Sequence, residues 1–112
     1  KDYPTDSGTL RRKAMVLFML GKKEDALKVL KDEMLPWFQK QDNLVLYKGK
    51  KLNTANAQIE TIYRILKIGG DLIDATTKKD YVLQIEELKK RKTKSFADID
   101  DYLKKIKDMT AV

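Results

Sequence analysis

The sequence contains neither cysteine nor histidine. That removes disulfides, thiol nucleophiles, imidazole bases and zinc sites of the Cys/His kind. It leaves the compartment open, because a cysteine-free domain is stable in reducing and oxidising surroundings alike. Turn formers are scarce as well, with five glycines and two prolines in 112 residues. An all-β chain would need more of them. The longest unbroken apolar run, Ala14 to Leu20, is seven residues, against the roughly 20 that a membrane-spanning helix requires. The nearest thing to an acidic metal loop is Asp98, Asp100 and Asp101, with no following glycine or bidentate glutamate. No metal, cofactor or small-molecule substrate is expected on these grounds.

What is present is charge and aliphatic residues in helical rhythm. Apolar residues make up 42% and charged residues 37%, too apolar for a disordered tail and suited to a helical domain. The length fits one domain. The chain opens on Lys1 rather than Met, which fits a piece of a longer polypeptide from which any targeting signal has been removed. The net charge is +7, carried as +3, +1 and +3 by residues 1–40, 41–76 and 77–112.

Apolar periodicity of three to four residues predicts five helices, at about 9–20, 23–35, 54–75, 78–92 and 96–109. Asp6 or Ser7 is placed to cap the first. Its inner face is Leu10, Ala14, Leu17 and Phe18, and Met15, Val16, Met19 and Leu20 make its second half apolar all round. Such a helix is expected to be buried on more than one side. Gly21 ends it. The second helix presents Ala26, Leu27, Leu30 and Met34 inward and stops at Pro36, which also biases Leu35 away from helix. Residues 39–53 read as a long connection with at most one helical turn, basic at Lys48, Lys50 and Lys51. Asn53 or Thr54 caps the third helix, whose stripe is Ala55, Ile59, Ile62, Leu66 and Ile73, widened by Tyr63, Ile65 and Leu72. At Gly69-Gly70 it either breaks or admits another backbone. Thr76 and Thr77 cap the fourth helix, which carries Tyr81, Val82, Ile85 and Leu88. Ser95 with Asp98 makes a near-capping-box start for the fifth, which carries Ile99, Tyr102, Leu103, Ile106 and Met109.

Residues 10–36 resemble a tetratricopeptide repeat, a pair of antiparallel helices with small residues where the backbones cross. Leu10 takes the first anchor, Ala14 the small position, Leu17 the next bulky one and Gly21 the turn. Ala26 matches the small residue of the second helix and Leu30 its bulky partner. Pro36 sits two residues early, Lys23 replaces a tyrosine and Glu33 a small residue. No second copy follows about 34 residues on. The resemblance implies a helical hairpin of tetratricopeptide type. With two or three further helices it would form an all-α bundle or a short right-handed helical stack.

With reactive groups missing and every carboxylate in an outward-facing, charge-rich stretch where nothing shifts its pKa, no enzyme is expected. The expected role is a non-catalytic protein-interaction or scaffolding module. Its partner is a protein or the rest of its own parent chain, and its contact surface lies between the first hairpin and the third helix, at Trp37, Phe38 and Tyr63. Aromatic residues dominate interface energetics, although Trp37 and Phe38 also suit closure of a core beside a proline. The four methionines, Met15, Met19, Met34 and Met109, read as core. The alternative is a basic surface at Lys89, Lys90, Arg91, Lys92 and Lys94 that holds the phosphates of nucleic acid or of an anionic membrane. Against it, no aromatic residue interleaves the run for base stacking, and a solvated helix end carries such charge equally well.

Overall fold

The computed structural model describes residues 7–42, 44–45 and 47–110, with the side chains of 7, 47 and 107–110 outside the description. The cap expected from Asp6 or Ser7 and the core role of Met109 therefore lie outside the described residues. The architecture is an all-α bundle.

Helix α1 (Ser7–Met19) is followed by a tight turn into α2 (Lys23–Val29). Gly21 takes φ +80° there, its amide donates to the Phe18 carbonyl at 3.0 Å, and the Lys22 amide reaches back to Leu17 at 2.8 Å. These two bonds satisfy carbonyls the helix end would leave orphaned. Glu24 and Asp25 then occupy the first turn of α2, where the helix dipole favours negative charge.

Pro36 does not end the second helix. The chain passes from α2 through one widened π-helical turn (Leu30–Met34) into α3 (Leu35–Gln41), so 23–41 is one rod. The reason is steric. Proline has no amide to donate, and its ring collides with the carbonyl four residues back in a regular helix. In the widened turn the Leu35 amide donates to Leu30, five residues back, and the ring is accommodated. Trp37 and Phe38 are consequently inside a helix, not beyond its end. The rod stops at Asp42, whose backbone is extended (φ −63°, ψ 135°). The connection that follows is shorter than expected. It contains an isolated antiparallel bridge between Val45 and Lys51 around a short 3-10 turn (Tyr47–Gly49).

Helix α4 (Ala55–Gly69) is the central rod. Its Ala55, Ile59, Ile62, Ile65 and Leu66 are fully buried, and it packs against α2, α3 and the π turn on one side and α5 on the other. At its end both alternatives for the glycine pair are realised in modified form. Gly70, at φ +47°, breaks the helix into a 3-10 turn (Gly70–Leu72). Gly69 allows a close approach, but by the side chains of Ile73 and Leu27 rather than by a backbone. Ile73 is buried and Leu72 is exposed, so Leu72 does not widen the inner stripe.

Helix α5 (Ala75–Leu88) is capped by Asp74, not by Thr76 or Thr77: the carboxylate accepts from the Thr77 amide at 2.7 Å. Tyr81, Val82, Ile85 and Leu88 point inward. Helix α6 (Ala97–Thr110) begins with the Asp100 amide donating to the Phe96 carbonyl at 2.9 Å, and Ser95 is exposed without a capping bond. Ile99, Leu103 and Ile106 join the same core as the other helices.

The expectation for α1 needs correction. Leu10 and Ala14 are buried and Leu17 is half-buried, but Met15, Val16, Phe18, Met19 and Leu20 are exposed. Among the described elements α1 packs mainly against the rod at 23–41, and that covers one side. Of the three described methionine side chains, Met34 alone is core.

Candidate functional site

Two clefts run side by side along the outer face of α4. The first, about 240 Å³, lies between α1, the 23–41 rod and α4, and includes Arg11, Met34, Phe38, Glu60 and Arg64 in its walls. The second, about 370 Å³, lies between α4 and the start of α6, and includes Tyr63, Lys94 and Phe96 with the same Glu60 and Arg64. Glu60 and Arg64, one helical turn apart, therefore form the ridge between them.

Phe38 and Tyr63 open onto this surface from opposite sides of the ridge, and Trp37 does not line either cleft. Trp37 packs its ring edge-on to Phe38 at 5.4 Å between centroids, and both rings lean on the core. Trp37 thus supports Phe38 from behind. Tyr63 stacks edge-on with Tyr102 of α6 at 5.3 Å and carries the Lys67 ammonium over its ring at 5.5 Å. Burial pushes the Tyr102 phenol up from its ordinary value, with a smaller contribution from Tyr63.

The cations of this surface divide into two kinds. Lys94 is held to Glu60 at 3.5 Å and lies 5.2 Å from the centre of the Phe96 ring. Arg11 and Arg64 have no carboxylate partner among the described residues. Sequence reasoning passed over both. The available signal was that Glu60, Tyr63, Arg64 and Lys67 share one face of α4, opposite its aliphatic stripe.

The basic run beyond α5 is engaged inside the molecule. Lys89 meets Asp100 at 2.6 Å and Glu86 at 3.9 Å, and Lys90 meets Glu87 at 3.0 Å. Lys92 lies 5.9 Å from the Phe96 ring centre. Arg91 grips both oxygens of Asp42, at 2.7 and 3.1 Å, and also donates to Asn53 Oδ1 at 3.3 Å. Asn53 returns a bond from its amide to the Arg91 carbonyl at 2.8 Å and accepts from the Ala55 amide at 3.0 Å, so it, with Thr54, starts α4.

Asp42 is the centre of this node. Besides Arg91 it accepts from the Thr54 amide at 2.9 Å and the Thr54 hydroxyl at 3.1 Å, and that hydroxyl also donates to the Phe38 carbonyl at 2.9 Å. The side chain of Asp42 is only 12% exposed. Its carboxyl is held below the ordinary carboxylate value, first by the Arg91 hydrogen bonds, against the opposing effect of burial. Asp100 is lowered by Lys89 and Asp74 by the Thr77 amide. This corrects the expectation that nothing perturbs a carboxylate here. All three shifts favour the charged form, the direction of a structural ion pair and opposite to that of a general acid poised near neutrality. Among the described residues no group of three or more acidic side chains is arranged to hold a metal ion, and no helix is long and apolar enough to cross a membrane.

The chain matches no family model, no curated protein and no solved structure.

Proposed function

We infer that this chain is a non-catalytic protein-interaction or scaffolding module that receives a polypeptide segment along α4, between Phe38 and Tyr63. One observation carries the reading. Two adjoining clefts share a ridge, offer an aromatic ring on each side, and hold two guanidinium groups that no carboxylate of the described residues neutralises. A segment with apolar side chains for the clefts and carboxylates for Arg11 and Arg64 would match that surface, since guanidinium pairs carboxylates through two parallel hydrogen bonds. A hairpin of tetratricopeptide type belongs to the same reading. Ala14 and Ala26 are buried where α1 and α2 meet, which lets the rods approach to the ~8–10 Å of tight helix packing.

The competing reading, a basic surface for nucleic acid or anionic membrane at Lys89–Lys94, draws little support from the geometry. Each of those five cations already faces an acid or an aromatic ring of the same chain.

A photo-crosslinking amino acid placed at Phe38 or Tyr63, with the exposed Lys105 of α6 as control, tests the reading in the producing cell. Adducts are expected from Phe38 and Tyr63, not from Lys105, and they should disappear on protease treatment. Adducts destroyed by nuclease, or none above the Lys105 control, would remove the proposal.

A further inference from the structure

We propose that the outward face of α1 is a second docking surface, and that its occupant is a polypeptide helix with an apolar stripe flanked by carboxylates. This surface is separate from the α4 clefts, and the inference does not depend on them.

The second half of α1 carries large apolar side chains on every side, and one side suffices for the contact with α2. The remainder is left in water: Met19 is 80% exposed, Leu20 66%, Val16 54%, Met15 51% and Phe18 49%. At helical spacing Met15, Val16, Met19 and Leu20 form one continuous strip. Its area is on the order of a few hundred Å², comparable to the largest apolar patch a monomer usually shows, which is often functional. A helix apolar all round is built to be packed on more than one side. The rod at 23–41 fills only the first of those places.

Charge then selects the occupant. No acidic residue occurs from Ser7 to Lys23, whereas Arg11, Arg12, Lys13, Lys22 and Lys23 do. Arg12 lies one turn before Met15 and Val16, and Lys22 and Lys23 follow the turn. None of these three has an ion-pair partner among the described residues, and Lys13 is held by Glu33 at 3.6 Å. An apolar strip with cations at both ends is complementary to an apolar strip with carboxylates at both ends. A second copy of this chain is disfavoured by the same charges, because two such faces would set cation against cation. A bilayer fits less well than a helix: an interfacial helix needs a polar face opposite its apolar one, and α1 turns Leu10, Ala14 and Leu17 there instead.

The four methionines provide the readout, since Met15 and Met19 are on the strip and Met34 is buried elsewhere. The test uses the whole chain labelled at its methionine methyls. Against it is selected a displayed library of helical peptides, with apolar residues fixed at three- and four-residue spacing and Glu or Lys allowed freely at the flanks. Peptides with Glu flanks should be retained and should move the Met15 and Met19 resonances while leaving Met34 in place. Binding should fall at least tenfold with Met19→Glu, and comparably with Arg12→Glu combined with Lys22→Glu. Lys105→Glu, at an exposed position of α6, should leave it unchanged. Because these substitutions are at exposed positions, an unaltered thermal melt accompanies each. The proposal is overturned if no peptide is retained, if Lys-flanked peptides prevail, or if Met15 and Met19 stay still when peptide binds. It is overturned equally if sedimentation finds a dimer that Met19→Glu dissociates, or if vesicles of phosphatidylserine and phosphatidylcholine, but no peptide, move the two resonances.

Discussion

Asp42 accepts four hydrogen bonds from Arg91 and Thr54 at a position almost closed to water, and replacing it with Asn leaves one oxygen to accept and no negative charge opposite Arg91. Hydrogen bonds to charged groups contribute about 1.5–3 kcal/mol each when one partner is lost, so Asp42→Asn should destabilise the domain by about 2 kcal/mol in urea denaturation. A double-mutant cycle with Arg91→Ala should show strong coupling. The depressed pKa also has a sign. The unfolded chain takes up the Asp42 proton at the ordinary carboxylate value, about pH 4, and the folded chain only below it. The stabilisation is therefore complete above pH 5 and is lost as pH falls through and below 4. Asp74 and Asp100 act in the same direction. Urea midpoints at pH 7, 4 and 3 should fall more steeply for the wild type than for Asp42→Asn. At the same scale, a methyl group at position 69 would be driven into Ile73, with Leu27 in contact beside it. Overpacking of this kind costs about 1–3 kcal/mol. Gly69→Ala should lose that much, and Ile73→Val in the same chain should restore part of it.

The helices themselves were legible because burial imposes a rhythm on the sequence. The stripe Ala55, Ile59, Ile62, Leu66 stands in the core as expected, and Gly21 turns the first hairpin as its lack of a side chain allows. What resisted reading was set by partners distant in the chain. Pro36 looked like a terminus because the π turn that accommodates it has no compositional signature. Lys89, Arg91 and Lys94 looked like a free basic run because Asp100, Asp42 and Glu60 meet them only after folding. Of the expected contact residues, Phe38 and Tyr63 open onto the α4 clefts, while Arg11 and Arg64, without a carboxylate partner among the described residues, were hidden among 24 basic residues. The cap of α5 is a smaller case of the same kind, since Asp74 precedes two threonines that are equally good candidates on paper. Asp74→Ala should lower the melting temperature by a few degrees, and Thr76→Ala should leave it within error.

Across the whole molecule, one core joins the hairpin to the helices that follow it, and α6 enters it through Ile99, Leu103 and Ile106. Leu103 is almost fully buried, so Leu103→Ala should cost about 2–5 kcal/mol. The loss should appear in one cooperative transition that includes the α1–α2 hairpin, monitored by far-ultraviolet circular dichroism. The node at Asp42 has a consequence for the chain's continuity. The exposed lysines at 48, 50 and 51 invite trypsin, yet residues on both sides of that stretch are tied to a third segment by Arg91. A single cut there would produce two fragments that still co-elute as one particle, separable only in denaturant. On that outcome the covalent link between the amino-terminal hairpin and the remaining helices would be dispensable once folding is complete, and new chain ends could be opened at that loop.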